Sequence, residues 1–349
     1  MEKTPFVTLI MPVRNEAAFI ARSLGAVLAQ DYPHERMELL VADGMSADGT
    51  REVIARLAAA CPGISVAVLD NPGRIVPTGM NAAIERARGE VIVRVDGHTI
   101  VAPDYVRECV AALARSGASN VGGRMDAVSE GRVGRATARA TSSPFGVGGA
   151  RFHYSDREEW VDTVYMGAWP REVFRRVGLF DEEFVRNQDD ELNYRLLSRG
   201  GRVLLSPRIR SRYYNRSTVR ALWRQYFQYG YWKVRVMQKH PRQMRPRHFV
   251  PSLFVAALLV SLLIAPFSAL GGWAFCLAAG SYVIANLGAS VLTAGRSDWR
   301  LLPLLPMTFA LLHVSYGLGF LVGLVKFWNR WGDVERQPAA CGAQPQATK

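Results

Sequence analysis

The sequence predicts an α/β protein built on an open, mostly parallel sheet and followed by membrane-associated helices. Three observations carry that reading. Short β-branched runs alternate with amphipathic stretches from Phe6 to about Gly123, the rhythm of a doubly wound sheet. One of those runs, Val91, Ile92, Val93 and Val95, stops at Asp96-Gly97-His98. An acid and a second metal-capable side chain therefore stand at the carboxyl end of a parallel strand, where open α/β sheets bind ligands. Beyond Phe249, three stretches of roughly bilayer length hold no charged residue.

Taken in order, Phe6 to Met11 reads as the first strand, ended by Pro12 and the polar run Arg14-Asn15-Glu16. Phe19, Ile20, Leu24, Val27 and Leu28 recur at helical spacing. Glu38 to Ala42 is a second strand closed by the turn cluster Asp43 to Thr50, and Asp48 is an N-cap candidate for a helix from Arg51 to Ala60. Ile64 to Leu69 is a third strand. A helix from about Pro77 to Arg88 leads to the strand that ends at Asp96, and Pro103 opens the next helix. Ser119 to Gly123 completes the regular part. Residues 124 to about 160, rich in Gly, Ser, Ala and Arg, are expected to form a long lid or binding loop. A short helix is expected over Arg171–Val177. Asp189, Asp190 and Glu191 then enter a helix that Gly200-Gly201 ends. Acids at a helix start are favoured by the dipole, but three exceed what capping needs, so a catalytic carboxylate is expected among them.

The net charge of +13 is local. No Asp or Glu occurs from Leu192 to Ser297, and fifteen of the 43 Lys and Arg lie between Arg195 and Arg247. Thr218 to His240 interleaves Trp223, Tyr226, Phe227, Tyr229, Tyr231 and Trp232 with Arg220, Arg224, Lys233, Arg235 and Lys239. Such a helix suits a membrane surface, or single-stranded nucleic acid. The apolar stretches Phe249–Leu270, Trp273–Thr293 and Leu301–Val325 decide for membrane lipid and against nucleic acid, and they are expected to be three transmembrane helices. The organisation expected is 1–217 catalytic, 218–248 interfacial helix, 249–326 transmembrane and 327–349 disordered tail. Cys61, Cys109, Cys276 and Cys341 lie too far apart in sequence to suggest a zinc site or disulfide framework, which suits a reducing compartment. No secretory signal is expected at the N-terminus.

The ordered set Pro12-x-Arg14-Asn15-Glu16, Asp43-x-x-Ser46-x-Asp48-Gly49-Thr50, Asn81, Asp96-x-His98 and Gln188-Asp189 resembles the family 2 glycosyltransferases, over roughly residues 6 to 215. The segments Asn71–Asn81, Arg186–Glu191 and Gln225–Lys233 resemble the bacterial succinoglycan-type glucosyltransferase branch of that family. The resemblance implies the Rossmann-like GT-A fold and a set of roles. Pro12, Arg14, Asn15, Glu16, Asn81 and Asp96 belong to the nucleotide-sugar site, Asp43 bonds the uracil ring, and Arg74 adds charge compensation. Asp96 and His98 match the family's D-x-D, which holds Mg²⁺ or Mn²⁺ against the donor diphosphate. Asp189 matches the family's base, with Asp190 the alternative because Gln188 stands where Glu is usual. Gly44 and His98 replace two frequent Asp residues, and an imidazole suits Mn²⁺ better than Mg²⁺. The Q-x-x-R-W of processive synthases is missing after Gln225.

The expectation is an inverting, metal-dependent enzyme on the cytoplasmic face of a bacterial inner membrane. It would move a sugar, glucose from UDP-glucose, onto a polyprenyl-diphosphate-linked oligosaccharide in exopolysaccharide biosynthesis. The rivals are a polyprenyl-phosphate monosaccharide synthase and a non-enzymatic scaffold of an export complex. A dinucleotide-binding oxidoreductase is disfavoured, because no G-x-G-x-x-G follows the first strand.

Overall fold

The computed structural model describes residues 4–214 and 218–332. In chain order the elements are β1 (Val7–Val13), α1 (Ile20–Leu28), β2 (Met37–Asp43), α2 (Thr50–Ala60), β3 (Ser65–Asp70), α3 (Val76–Arg86) and β4 (Val91–Arg94). They continue with β5 (Thr99–Val101), α4 (Tyr105–Ser116), β6 (Asn120–Val128), α5 (Gly131–Thr141), α6 (Pro144–Val147), β7 (Glu159–Val161), β8 (Tyr165–Pro170) and α7 (Glu172–Val177). The last are α8 (Gln188–Ser198), β9 (Val203–Tyr214), α9 (Val219–Lys239), α10 (Val250–Ile264), α11 (Ala269–Gly295) and α12 (Leu305–Lys326). Residues 4–126 with 155–213 form a sheet unit, and residues 127–154 with 214 and 218–332 form a helical unit.

The sheet unit holds a mixed open sheet in the order β3-β2-β1-β4-β8-β6-β9-β5, with β7 on β9. Its first four strands are parallel, as alternating strands and helices require, and β2 is buried along its whole length. From β4 onward the pairings to β8, and those of β6, β7 and β5, are antiparallel, so the doubly wound half ends at β4, and the strand expected over Ser119–Gly123 to complete it is β6, which runs antiparallel to β8. Leu9, Met11, Leu39, Val41 and Val93 of the strands meet Ile20, Leu24, Val27 and Val106 of the helices in one core. The start of β4 is pinned by a buried polar knot. Thr8 Oγ1 donates to Glu38 Oε1 at 2.6 Å, Arg88 closes on the other Glu38 oxygen at 2.7 Å, and the Gly89 N–H donates to Thr8 at 2.8 Å. A Cβ on Gly89 would lie 2.4 Å from the Thr8 nitrogen, so only glycine lets the strand start there.

The helical unit departs from expectation in three places. Much of the expected lid is helix. In α5, Ala136, Ala138 and Ala140 are buried while Arg132, Arg135 and Arg139 face outward. Small residues on the packed face and arginines on the other gave the stretch a loop-like composition. Second, α9 is not wholly a surface element. Lys233 and Arg235 are buried, and Arg235 donates to Gln238 Oε1 at 2.5 Å and lies over the Phe327 ring. The cause is close packing on α12. A Cβ on Gly230 would meet the Tyr316 carbonyl at 2.0 Å and one on Gly319 the Phe227 carbonyl at 2.0 Å, so glycines let the two backbones touch. Third, the expected first span is only the 15-residue α10, about 22 Å against a hydrocarbon thickness of about 30 Å. Pro266, which lacks an N–H, and Ser268, which caps α11 through Leu270 at 3.3 Å, break the apolar run. Two helices, α11 and α12, are long and apolar enough to cross a membrane. Most of α11 is exposed, as a lipid-facing helix is. Cys61, Cys109 and Cys276 are free thiols, while Cys341 and most of the expected tail lie outside the described residues.

Candidate active site

The parallel register brings the carboxyl ends of four strands to one edge. Val13 pairs with Asp43, Asp43 with Asp70, and Ile10 with Arg94. The loops that leave these ends carry most of the residues singled out from the sequence. All five non-glycine residues with left-handed backbone among the described residues, Asn15, Met45, Arg74, Met166 and Asn187, sit on these loops or beside the acids they present. Strained backbone of this kind persists where surrounding bonds fix it, and it clusters at functional sites.

The first loop is zipped to the second. The Asn15 N–H donates to Ser46 Oγ at 2.8 Å, and Asn15 Oδ1 accepts from the Ala47 N–H at 3.0 Å. The Glu16 N–H donates to Thr50 Oγ1 at 2.9 Å and the Ala17 N–H to Asp48 Oδ2 at 3.0 Å. Asp48 also accepts the Thr50 N–H at 3.1 Å, so it satisfies the start of α2 from one residue before Gly49, the residue preceding the helix. Pro12 pairs with Ala42 inside the sheet, one residue before that loop, and Arg14 reaches the Arg74 carbonyl at 3.3 Å.

Asp43 stands at the end of β2. Its side chain is fully enclosed, and its oxygens accept from the Ser46 N–H at 3.0 Å, Ser46 Oγ at 2.5 Å and Arg51 Nε at 2.5 Å. Burial pushes its carboxyl up, but those donors outweigh it and hold the pKa below the usual carboxylate value. Oδ2 takes two of these bonds and Oδ1 one, so the carboxylate is fixed by its own loop and by Arg51. Arg51, also paired with Asp70 at 2.6 Å, is the group Asp43 orients. Asn81 is likewise spent elsewhere. Its amide donates to the Phe180 carbonyl and to Glu182, both at 2.9 Å, and its oxygen accepts the Phe180 N–H at 2.9 Å. It clamps α3 to the segment before α8.

The centre of the site is a residue that sequence reasoning passed over. Arg94, buried at the end of β4, donates Nε to Asp96 Oδ1 at 2.7 Å and Nη2 to Asp96 Oδ2 at 3.2 Å. Its Nη1 closes on Asp189 Oδ1 at the start of α8. One guanidinium thus ties the candidate metal ligand to the candidate base across 95 residues of chain. A lone arginine in a run of Val91, Ile92, Val93 and Val95 was the available signal, since a buried cation needs partners. Burial raises the Asp189 pKa to about 6, Arg94 opposes that rise, and the charges of Asp96 and Asp190 add to it. Asp190 is half-buried beside it. Glu191 is structural: it is buried and grips Arg195 at 2.7 and 2.9 Å, and Arg195 in turn donates to the Val177 and Leu179 carbonyls. Tyr165, also unpredicted, shares a 2.6 Å hydrogen bond with Thr99 and reaches Asp96 at 3.4 Å.

His98 Nδ1 lies 3.1 Å from Glu16 Oε1. With Nδ1–H donating to that carboxylate, Nε2 carries the lone pair, the arrangement that orients an imidazole toward a metal. No group of three His, Cys, Asp or Glu side chains is assembled to hold a metal among the described residues. Asp96 and His98 fit a cation that draws its other ligands from donor phosphate oxygens, as Mg²⁺ and Mn²⁺ sites commonly do.

Comparison with known proteins bears on the family and the fold. The sequence pattern described as Glycosyl transferase family 2 matches residues 8–178. Succinoglycan biosynthesis protein ExoA of Rhizobium meliloti (strain 1021) is 31% identical over 329 residues, covering 92% of this chain and 96% of the relative. A dolichyl N-acetyl-alpha-D-glucosaminyl phosphate 3-beta-D-2,3-diacetamido-2,3-dideoxy-beta-D-glucuronosyltransferase of Methanococcus voltae is 27% identical over 92% of this chain and 98% of its own. Among solved structures, mannosyltransferase PcManGT from Pyrobaculum calidifontis, in complex with GDP-Man and Mn²⁺, superposes with a TM-score of 0.59 at 22% identity, covering 92% of this chain and 88% of that one.

Proposed function

Because this chain belongs to glycosyl transferase family 2, we propose that it transfers glucose from UDP-glucose, with inversion, to a polyprenyl-diphosphate-linked oligosaccharide at the cytoplasmic face of a bacterial inner membrane. The chain is a glycosyltransferase, and its relatives tie it to exopolysaccharide and lipid-linked glycan biosynthesis. The observation that carries the mechanism is the Arg94 bridge between Asp96 and Asp189.

Asp189 takes the acceptor hydroxyl proton as the new bond to the anomeric carbon forms and the bond to the donor diphosphate breaks on the opposite face. A carboxyl with a pKa of about 6 is ionised at neutral pH and still basic enough to accept that proton. Arg94 keeps the charged form populated in a buried place and fixes its direction. Asp96 and His98 would hold the divalent cation, which when bound compensates charge on the leaving diphosphate. Pro12, Arg14, Asn15 and Glu16 border the nucleotide, and Ser46 and Arg51, set by Asp43, join them. Inversion needs one such base and no carboxylate nucleophile. The Methanococcus voltae relative is named for an acceptor that is a sugar on dolichyl phosphate, which supports a lipid-linked saccharide over a bare lipid phosphate.

The test is a panel of UDP-sugars, with GDP-mannose alongside, incubated with membranes and extracted lipid-linked acceptors. Transfer of glucose to a diphosphate-linked oligosaccharide, with the anomeric configuration reversed in the product, is expected. Transfer only to polyprenyl monophosphate, or a retained configuration, would overturn the reading.

A further inference from the structure

We propose that the helical unit is held in a bilayer from one side only: α10 and α11 form a re-entrant hairpin that enters the membrane and returns, and α12 lies beside α9 without crossing. The helix ends are fastened on one side. Only residues 129 and 130 separate β6 from α5, too few for the chain to cross a bilayer between them. The exit of α11 is tied to α5. Arg135 pairs with Asp298 at 3.6 Å, and Arg132 donates to the Arg300 carbonyl at 3.1 Å. The entry of α10 is tied to the turn after α6, where Arg247 donates to the Gly149 carbonyl at 2.9 Å. Both ends of the hairpin therefore open on one side.

Its tip belongs in hydrocarbon. Ala265–Ser268 carries no charge, and Leu263, Phe267, Leu270 and Trp273 are 73–89% exposed. The α10 arm, about 22 Å long, does not by itself span the hydrocarbon, and the 27-residue α11 arm, about 40 Å, is long enough to lie tilted beside it.

α12 is fastened along its length to segments of the same side. His313 Nε2 meets the Phe145 carbonyl at 2.8 Å, and Tyr316 OH donates to the His248 carbonyl at 3.3 Å. Near its end, Gln238 donates to the Phe327 carbonyl at 2.8 Å and Arg235 to the Arg330 carbonyl at 3.2 Å. The partner helix α9 carries five Lys and Arg, and of these Arg220 and Arg224 are exposed on its first turns, where hydrocarbon would be costly. A helix in contact with α9 from Leu222 to Gln238 stays at the same depth.

Where α11 exits, a cavity of about 570 Å³ is lined by Arg139 and Arg296 together with Phe145, Ala289 and Leu292. Neither guanidinium is paired among the described residues. Two free cations beside an apolar floor match the phosphate layer of anionic lipids. The occupant of the hairpin surface is thus one side of an anionic bilayer.

The experiment uses the full chain in intact cells. A compartment-sensitive phosphatase is fused in turn before Met1 and after Lys349, and an impermeant maleimide probes Ser297→Cys and Phe267→Cys, with the unsubstituted chain as blank. Both fusions should report the same side. Ser297→Cys should label only from that side, and Phe267→Cys from neither until detergent is added. Opposite readings for the two fusions would mean that one or all three of α10, α11 and α12 cross. Labelling of Phe267→Cys from the far side would mean α10 crosses, and far-side labelling of Ser297→Cys would mean α11 does. Any of these overturns the proposal, and none depends on which sugar is transferred.

Discussion

Replacing Asp189 by Asn should abolish sugar transfer and stabilise the protein at alkaline pH. The carboxyl titrates near 6 in the folded chain against an ordinary value of 3.8, so between those pH values the folded state holds a proton that the unfolded chain releases. The group's favourable contribution is complete below pH 3.8 and is lost as the pH passes 6. The shift corresponds to about 3 kcal/mol at most. A quarter of the side chain meets solvent (26%), and an amide bonds Arg94 less strongly than a carboxylate, so we expect about 1–2 kcal/mol. Asn carries no charge at any of these pH values and keeps the contribution. Thermal unfolding of the full chain in detergent should show Asp189→Asn a few degrees above the parent at pH 8, with the gap closing toward pH 4. Turnover should fall by about 10²–10⁴, the usual worth of a general base. A variant with an unchanged stability gap across pH 4–8, or with near-parental turnover, would refute the placement of Asp189 as a buried base.

Arg94→Met should move the acid limb of the kcat profile above pH 6, because burial of Asp189 is then unopposed; Arg94→Lys should restore part of the shift, and an unmoved limb would count against the bridge. Activity should vanish in EDTA and return better with Mn²⁺ than with Mg²⁺, and His98→Ala should weaken Mn²⁺ binding measured by spin resonance; full activity in EDTA would remove both Asp96 and His98 from the metal site. Neutralising Arg220 and Arg224, on the exposed first turns of α9, should weaken use of the lipid acceptor with little change in donor KM. Lys233→Gln, by contrast, should lower Tm before it changes any KM, since that side chain is buried.

The parallel half of the fold was legible because β1, β2 and β4 are buried and read as short apolar runs. The site was legible where chemistry sits at strand ends, as with Asp96, His98 and the acids that open α8. It was obscured where a polar residue acts through a partner distant in sequence. Asn81 looked like a ligand group until its bonds to Phe180, 99 residues away, accounted for every polar atom of its amide. Arg94 was hidden inside the hydrophobic run that made β4 easy to find. In the helical unit, composition misled twice. Small residues in α5 read as a loop although they let a helix pack closely, and an apolar run from Phe249 read as a span although Pro266 cuts it to 15 residues.

The helical unit is assembled from two stretches of chain with β7 to β9 between them, which gives its synthesis an awkward order. α5 and α6 leave the ribosome roughly 10–30 s before α12 is complete, at ~5–20 residues per second. For that interval the buried alanines of α5 have no α12 to cover them, and the nascent chain needs a chaperone or an early hold on the membrane. The same order dictates how the molecule can be divided. A chain stopped after β9 would carry residues 127–154 without the helices they pack on, and it should precipitate. Joining Asp126 to Ser155 removes the orphaned stretch, which makes it the sounder route to a soluble sheet unit.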